Sequence, residues 1–278
     1  MIFLINKSYL MKSINKNKEN KIKILFPFVG DSYGGAHLSV IDLINYLEKK
    51  KKFEPILIIH KRGRFYNFLK KKKIKFIFLE LNEILGSRLG LLSNLFIFFK
   101  IIFKITNFIK LNKIEIVHSN SIRENLTYSI ICKILKKKHI WHQRTELKAN
   151  KIKFIFRFLS VICIANSKYT SKFLPYHHKI KIIYNNLVIK KKVHKYKRRN
   201  NIIGYIGRIH KNKKLEELID LFYLISSSNK KKYFLHIAGE VFSKSYLKFL
   251  KKKIKNFNLS AQVKFLKFKD PYIFLPKI

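Results

Sequence analysis

The chain has 278 residues, of which 47% are hydrophobic, so it can bury a sizeable core in one large or two medium domains and global disorder is excluded. Lys and Arg number 61 against 15 Asp and Glu, and the net charge of +46 attracts polyanions such as nucleic acid, anionic lipid or phosphorylated substrates. The lysines accompany abundant Ile, Asn and Phe, a joint bias that an A/T-rich genome gives to any protein, so charge alone does not identify the partner.

Residues 1–20 begin with the apolar run MIFLI and then turn polar. This run is too short for a signal peptide and lacks a small-residue cleavage site, so we expect a disordered or misassigned extension. From residue 21 onwards, short apolar runs alternate with helical stretches, which predicts βα units and a parallel sheet covered on both faces. The predicted strands are 21–29, 55–60, 74–81, 114–120, 139–146, 161–167 and 181–186, and the predicted helices are 37–50, 64–73, 91–112 and 123–138.

The longest apolar stretch, residues 89–113, is interrupted by Lys100, Lys104 and Lys110. These lysines exclude a membrane-spanning helix and predict an amphipathic helix with a basic flank. Such a helix can cover the core of an α/β domain or lie on a membrane surface, and the two roles are compatible.

The two cysteines, Cys132 and Cys163, lie in apolar runs without CxxC spacing. They are expected to be buried thiols in a reducing cytoplasm, and neither a disulfide nor a metal site is predicted.

Residues 187–200 are strongly basic and lack a clear period, which indicates a linker after a first domain over 21–186. A second α/β unit is predicted over 201–278. Its predicted strands are 201–207, 233–239 and 263–268, and its predicted helices are 214–228 and 246–258. The predicted fold class is therefore α/β with two Rossmann-like parallel-sheet domains, the second incomplete.

Three groups of residues lie at strand ends, where ligands bind in open parallel sheets. Gly34 and Gly35 stand at a strand-to-helix turn and either expose helix N-terminal amides to an anion or serve a tight turn. In HIWHQRTE (139–146), His142 ends a strand and can act as a base, as a hydrogen-bond donor or as a structural residue. In GYIGRIHKNKK (204–214), Arg208 and Lys213 suit a pyrophosphate, although a solvated basic turn is the alternative.

The order of these groups resembles that of the retaining, GT-B-fold glycosyltransferases of the large family 4. The resemblance rests on GDSYGGAHLSVIDL (30–43), IWHQRTE (140–146), IANSKYTSKFL (164–174), IIYNNLV (182–188) and GYIGRIHKNKKLEELI (204–219), and it covers roughly residues 21–270. It implies transfer of a sugar from a nucleotide-sugar to a glycan or lipid-linked acceptor, without a metal or other cofactor. It also implies a cytoplasmic enzyme, with possible contact to the inner face of an anionic membrane.

The resemblance also assigns roles to residues. His142 would sit beside the transferred sugar, Arg208 and Lys213 would hold the donor diphosphate, and Gly34 and Gly35 would approach the donor phosphates or the acceptor. Further substrate contacts are expected at three positions that end predicted strands: Asn120, Glu146 and Ser167.

Two departures from the family pattern are Lys214, where the family has the Gly of Lys-Gly, and Asn186, where it has the Gly of Asn-Gly. The family's Glu-x7-Glu element is not reached by residues 270–278, so a truncated and inactive chain is one alternative. The other is a basic nucleic-acid-binding protein, which requires aromatic and basic residues interleaved on an exposed surface. Here the aromatics lie inside apolar runs, so nucleic acid is the less favoured partner.

Overall fold

A computed structural model of the protein describes residues 21–81, 91–145, 162–174, 180–185, 201–228 and 232–267, with 91–98 described for the backbone alone. The chain divides into two compact units, Met1–Asn186 and Leu187–Ile278. Glu146 and Asn186, the linker at 187–200 and the terminal segments 1–20 and 268–278 lie outside the described residues.

The first unit contains a parallel sheet of seven strands. The strands are β1 (Ile22–Phe28), β2 (Phe53–Ile59), β3 (Ile77–Phe78), β4 (Ile116–Ser119), β5 (Lys138–Gln143), β6 (Ile162–Ala165) and β7 (Ile180–Ile182). They are ordered β3-β2-β1-β4-β5-β6-β7. The helices are α1 (Gly35–Glu48), α2 (Arg64–Lys71), α3 (Leu91–Leu111), α4 (Ile122–Ile134) and the short α5 (Lys168–Ser171).

Side-chain alternation along β1 divides the core of this unit into two layers. Phe26 and Phe28 face a cluster with Val40 and Ile44 of α1 and with Phe65 at the start of α2. Leu25, which directly precedes Phe26, belongs to a second cluster instead. That cluster contains residues of α3 and α4, namely Ile101, Ile105, Ile109, Tyr128 and Ile131. The sheet is therefore covered on both faces, as its continuous apolar strands predict.

The second unit contains a parallel sheet of three strands in the order β10-β9-β8. The strands are β8 (Ile202–Ile206), β9 (Phe234–Ala238) and β10 (Val263–Leu266), and the helices are α6 (Leu215–Ser228) and α7 (Lys244–Asn256). Leu235 and Ile237 of β9 pack with Ile219 and Phe222 of α6 and with Leu250 of α7. The predicted α/β class with two parallel sheets is confirmed.

The differences from the predicted elements are local. The strand predicted at 74–81 is reduced to two residues, Ile77–Phe78. The four-residue α5 and a 3-10 turn at Lys211–Lys213 have no counterpart in the predicted elements. Both are single turns, too short to show a hydrophobic period, so periodicity cannot reveal them.

Candidate functional site

The sheet of the first unit reverses its strand order between β1 and β4. The chain builds outwards from β1 to β3 on one side and from β4 to β7 on the other. In open α/β sheets, ligands bind beyond the carboxyl ends of the two strands at such a reversal. Here those ends lead into Gly30 after β1 and into Asn120 after β4.

Arg144 holds together the polar side chains at this edge of the sheet. Its Nε donates to Oδ1 of Asn120 at 3.2 Å, and its Nη1 donates to Oδ1 of Asn185 at 2.6 Å and to Oγ of Ser39 at 3.3 Å. Its Nη2 lies 3.3 Å from Nδ1 of His142. One guanidinium therefore joins two residues that follow β4 and β7, one within β5 and one from α1.

The contact with Arg144 fixes the tautomer of His142. A guanidinium can only donate, so Nδ1 of His142 accepts and the neutral ring carries its proton on Nε2. Nε2 of His118 lies 3.3 Å from the same Nδ1 and must also donate. The Nε2 of His142 is buried and has no hydrogen-bond partner among the described residues. A ligand that reaches this nitrogen therefore meets a hydrogen-bond donor.

Burial and, to a smaller extent, the charge of Arg144 together lower the pKa of His142 to about 3. Burial also lowers the pKa of His118 well below its usual value. Both imidazoles are therefore neutral at physiological pH. Of the roles considered for His142, hydrogen-bond donation fits this geometry better than proton abstraction, because its Nδ1 is already an acceptor for Arg144.

Backbone geometry does not require glycine at position 34 or 35, where α1 begins. Gly34 has φ of −178°, an extended conformation that any residue adopts, and Gly35 is the first residue of α1. A Cβ added at either position meets no atom within 4 Å. The alternative interpretation, a tight turn that needs glycine torsion angles, is wrong for this pair. The open space beside it instead allows another molecule to approach the first amides of α1, which have no partner within the helix.

A cavity of about 70 Å³ lies between the loop after β1 and the start of α4. Glu124 of α4 lines it and is 2% exposed. Its Oε1 accepts the N–H of Val29 at 2.8 Å, while its Oε2 is buried without a partner among the described residues. At the same loop, Arg123 forms a bidentate ion pair with Asp31, at 2.8 and 3.0 Å.

In the second unit, both predicted phosphate-binding side chains are exposed. Arg208 follows β8, and its guanidinium carbon lies 5.1 Å from the centre of the Phe242 ring. Lys213 ends the 3-10 turn, which His210 caps by accepting the N–H of Asn212 at 3.2 Å. Lys213 follows Arg208 by five positions, and both residues lie in the segment that joins the carboxyl end of β8 to the start of α6.

The predicted contribution of a helix N-terminus to this anion site is weaker than expected. The 3-10 turn at Lys211–Lys213 intervenes before α6 begins. Glu216 and Glu217 occupy the first turn of α6, where carboxylates compensate the positive end of the helix dipole. An anion at this loop is therefore attracted by the side chains of Arg208 and Lys213 rather than by α6.

Of the other predicted contacts, Asn120 joins His142 through Arg144. Ser167 caps α5, since its Oγ accepts the N–H of Thr170 at 3.0 Å, and its role as a substrate contact stays a prediction. Glu146 lies outside the described residues.

The sequence prediction did not assign roles to Arg144 or Glu124. The signal for Glu124 is the spacing in SIRE (121–124), a capping-box pattern at the start of a helix. For Arg144, the signal is a charged residue directly after a buried strand.

The described residues contain no helix that is long and apolar enough to cross a membrane. Within the same parts of the chain, no three His, Cys, Asp or Glu side chains form a group that could hold a metal ion.

Comparison with known families gives one match. Residues 188–275 match the family Glycosyl transferases group 1. No curated protein matches the chain.

Solved structures resemble nearly the whole chain. HepE from Anabaena, in complex with UDP and glucose, is 18% identical with a TM-score of 0.69, and the match covers 92% of this chain and 72% of that one. A glycosyltransferase from Rickettsia africae is 17% identical with a TM-score of 0.70, covering 92% and 71%. The lipopolysaccharide outer core galactosyltransferase WaaB, in its apo form, is 15% identical with a TM-score of 0.66, covering 92% and 72%. The protein therefore has the α/β fold of the GT-B glycosyltransferases, with its residues 188–275 matching glycosyl transferases group 1.

Proposed function

We propose that the protein is a glycosyltransferase that moves a sugar from a nucleoside-diphosphate donor to a glycan or lipid-linked acceptor, with retention of anomeric configuration. The observation that carries this proposal is the exposed pair Arg208 and Lys213 at the carboxyl end of β8, within the segment that matches glycosyl transferases group 1.

The donor diphosphate is bound in the second unit. Arg208 offers a fork of N–H donors that matches two phosphate oxygens, and Lys213 adds a compact positive charge. The ring of Phe242 supports the guanidinium from one side, at 5.1 Å. These cations neutralise the leaving diphosphate, so the proposed reaction uses no metal ion. The structure of HepE with UDP and glucose supports a uridine diphosphate donor.

The first unit contributes a neutral donor. The Nε2–H of His142 donates to a hydroxyl of the transferred sugar, and the amides behind Gly34 and Gly35 face the donor phosphates or the acceptor. The bond between the anomeric carbon and the leaving phosphate oxygen breaks. The acceptor oxygen then bonds the same face of that carbon, and its proton passes to the leaving phosphate. No second carboxylate is needed for this step.

Nucleotide binding tests the proposal directly. UDP and UDP-glucose are titrated into the full chain by calorimetry, with Arg208→Gln, Lys213→Gln and the control Lys211→Gln. Because charge-assisted hydrogen bonds to phosphate contribute about 1.5–3 kcal/mol, each of the first two variants is expected to weaken binding about tenfold or more. The control is expected to change affinity less than about twofold, since Lys211 is only part of the lysine-rich background.

The absence of nucleotide binding would contradict the proposal, as would equal losses in Lys211→Gln and Lys213→Gln. Salt-sensitive DNA binding with sequence preference would favour a nucleic-acid-binding protein instead.

We further propose that α3 contacts the inner face of an anionic membrane. Phe99 is 65% exposed and Phe103 is 70% exposed on this helix, beside the exposed Lys100 and Lys104. Aromatic rings with flanking lysines suit the boundary between headgroups and acyl chains. The buried cysteines Cys132 and Cys163, which form no disulfide, fit a reducing cytoplasm.

Sedimentation with vesicles tests this contact. Binding to vesicles that contain phosphatidylglycerol is expected, with little binding to pure phosphatidylcholine. Phe103→Ser is expected to weaken it, whereas Tyr46→Ser, which removes an exposed aromatic of α1, serves as the control. Equal binding of the two variants to anionic vesicles would rule out a contact through α3.

A further inference from the structure

The loops that follow β8 and β9 are joined to each other beyond the ends of the two strands. The N–H of Ile209 donates to the carbonyl of Glu240 at 2.9 Å, and the N–H of Phe242 donates to the carbonyl of Ile209 at 3.2 Å. Ile209 also forms an isolated parallel bridge with Val241, and its side chain is buried. The residue directly after Arg208 is therefore held by the loop after β9.

The ring of Phe242 contacts two side chains of the loop after β8. The guanidinium carbon of Arg208 lies 5.1 Å from the centre of this ring. The centre of the His210 imidazole lies 6.3 Å from the same point, and the two rings are perpendicular. Ile209 pairs as a strand residue does, and residues two positions apart in such a segment project to the same side. One ring can therefore contact both neighbours of Ile209.

Core packing does not explain the position of Phe242. The ring is half-buried, and the core cluster of the second unit, as far as the described residues form it, does not contain Phe242. Arg208, in contrast, is exposed. A half-buried aromatic ring beside an exposed guanidinium has the geometry of a cation–π contact.

This contact favours anion binding because it restricts Arg208 before a ligand arrives. An exposed arginine side chain samples many rotamers, and fixing one of them opposes binding. A ring that already holds the guanidinium removes part of this entropy cost. The contact depends on the charge of the guanidinium, so the fork of N–H donors remains able to bind phosphate oxygens.

We propose that Phe242 is a positioning residue of the phosphate-binding site, so that the loop after β9 belongs to this site together with the loop after β8. The ring of Phe242 holds the guanidinium of Arg208 in place for a diphosphate. The inference rests on the proposed function for the identity of the anion, whereas the contact between the ring and Arg208 is present without a ligand.

Calorimetry with the full chain measures the effect of the ring, with UDP and inorganic pyrophosphate as ligands. Phe242→Leu removes the ring but keeps an apolar side chain. It is expected to weaken binding of both ligands about two- to fivefold, the size of a cation–π contact at an exposed site. Phe242→Tyr retains an aromatic ring and is expected to restore the affinity to within about twofold of wild type.

Phe234→Leu is the matched control. The ring of Phe234 lies 6.0 Å from Nζ of Lys232, at the start of β9 and thus at the opposite end of this strand from Phe242. Its removal is expected to leave both affinities unchanged.

A double-mutant cycle separates positioning of Arg208 from a general structural role. In the Arg208→Gln background, Phe242→Leu is expected to cause no further loss of affinity, since the guanidinium that the ring holds is gone. In the Lys213→Gln background, the same substitution is expected to cause its full loss. A merely structural role of Phe242 would lower the affinity equally in both backgrounds.

The Nε–H signal of Arg208 tests the contact in the ligand-free, isotope-labelled chain. The magnetic field of the aromatic ring displaces this signal, so the displacement is expected in wild type and in Phe242→Tyr and is expected to vanish in Phe242→Leu. An unchanged signal in Phe242→Leu would overturn the inference.

Two binding results would also overturn it: equal affinities of wild type and Phe242→Leu, or equal losses in the Arg208→Gln and Lys213→Gln backgrounds. Binding of UDP without any effect of Phe242→Leu rejects the role of Phe242 and leaves the transferase. Binding of pyrophosphate that depends on Phe242 and Arg208, without binding of UDP, supports the positioning role and rejects the transferase. Failure of both ligands to bind rejects both proposals.

Discussion

The guanidinium of Arg144 lies 3.3 Å from Nδ1 of His142, and this contact determines which nitrogen of the imidazole carries the proton. Because Arg144 only donates, the proton of the neutral ring lies on Nε2, the atom without a partner among the described residues. The sequence alone allows His142 to be a base or a hydrogen-bond donor, and this contact favours the donor.

The first prediction concerns the pH dependence of the proposed sugar transfer. His142 has a pKa of about 3, so it stays neutral above pH 5 and contributes no rise in rate near pH 6.5. His142→Leu removes the donor and is expected to lower kcat/KM about tenfold to a hundredfold, as the loss of a hydrogen bond to the transition state does. The measurement is kcat/KM from pH 5 to 9 in wild type and variant. If kcat/KM of the wild type rises with pH near 6.5 and this rise disappears in His142→Leu, His142 acts as a base.

The second prediction concerns the network around Arg144. Arg144→Lys retains a charge but cannot reach Asn120, Asn185 and His142 together, because an ammonium lacks the planar fork. The free energy of unfolding is expected to fall by about 1–3 kcal/mol, measured by urea denaturation.

The control for this substitution is Arg123→Lys, which changes an ion pair with Asp31 that is about 40% exposed and therefore contributes about 0–1 kcal/mol. Equal losses in the two variants would contradict a special role for Arg144.

The third prediction is acid sensitivity. Burial lowers the pKa of His139 to about 3 and that of His60 to about 4, whereas both titrate near 6.5 when the chain is unfolded. The unfolded state therefore binds more protons below pH 6.5, and the free energy of unfolding falls as the pH drops from about 6.5 to 4. Each such histidine contributes a slope of up to about 1.4 kcal/mol per pH unit.

A variant separates these histidines from the carboxylates, which also destabilise the fold in acid. His139→Gln is expected to show a shallower pH dependence than wild type in urea titrations between pH 7 and 4.5. His210→Gln is the control, since His210 lies in an exposed loop of the second unit. Identical slopes in wild type and His139→Gln would disprove the assignment.

The fourth prediction concerns Lys214. The glycosyltransferase family that the sequence resembles has glycine at this position. Lys214 adopts φ of 49° and ψ of 45°, a left-handed conformation that is unfavourable for residues with a Cβ. Lys214→Gly is therefore expected to raise the midpoint of urea unfolding. Lys211→Gly, in the right-handed 3-10 turn, is expected to lower it, because glycine loses more entropy there. The same sign for both variants would refute the explanation.

The fifth prediction separates two kinds of glycine. Gly34→Ala meets no atom within 4 Å and is expected to leave the free energy of unfolding within about 0.5 kcal/mol of wild type. Gly239→Ala places a Cβ against the carbonyl oxygen of Gly207, so it is expected to destabilise the second unit strongly. Thermal unfolding measures both. A nucleotide or acceptor affinity that falls in Gly34→Ala, without a change in stability, would support a ligand beside this glycine.

Much of the architecture was predictable from local pattern. The continuous apolar runs at Ile22–Phe28 and Phe53–Ile59, each followed by a helical stretch, require a parallel sheet covered on both faces. The strand-end positions of His142 and Asn120 were also predictable, because β5 ends one residue after His142 and β4 ends one residue before Asn120. The strand predicted at 74–81 was too long, since only Ile77–Phe78 form a strand. An apolar run does not show how many of its residues will pair with a neighbouring strand.

Composition and periodicity thus determined the fold class, the two parallel sheets and the edge of the first sheet at which its candidate ligands bind. Only the tertiary structure decided which polar atoms meet there. Glu124 pairs with Val29 across 95 positions, and Arg144 pairs with Asn185 across 41. Periodicity reports which face of an element is buried. The pairing of two side chains depends instead on strand order and register, which are set by the packing of the whole sheet.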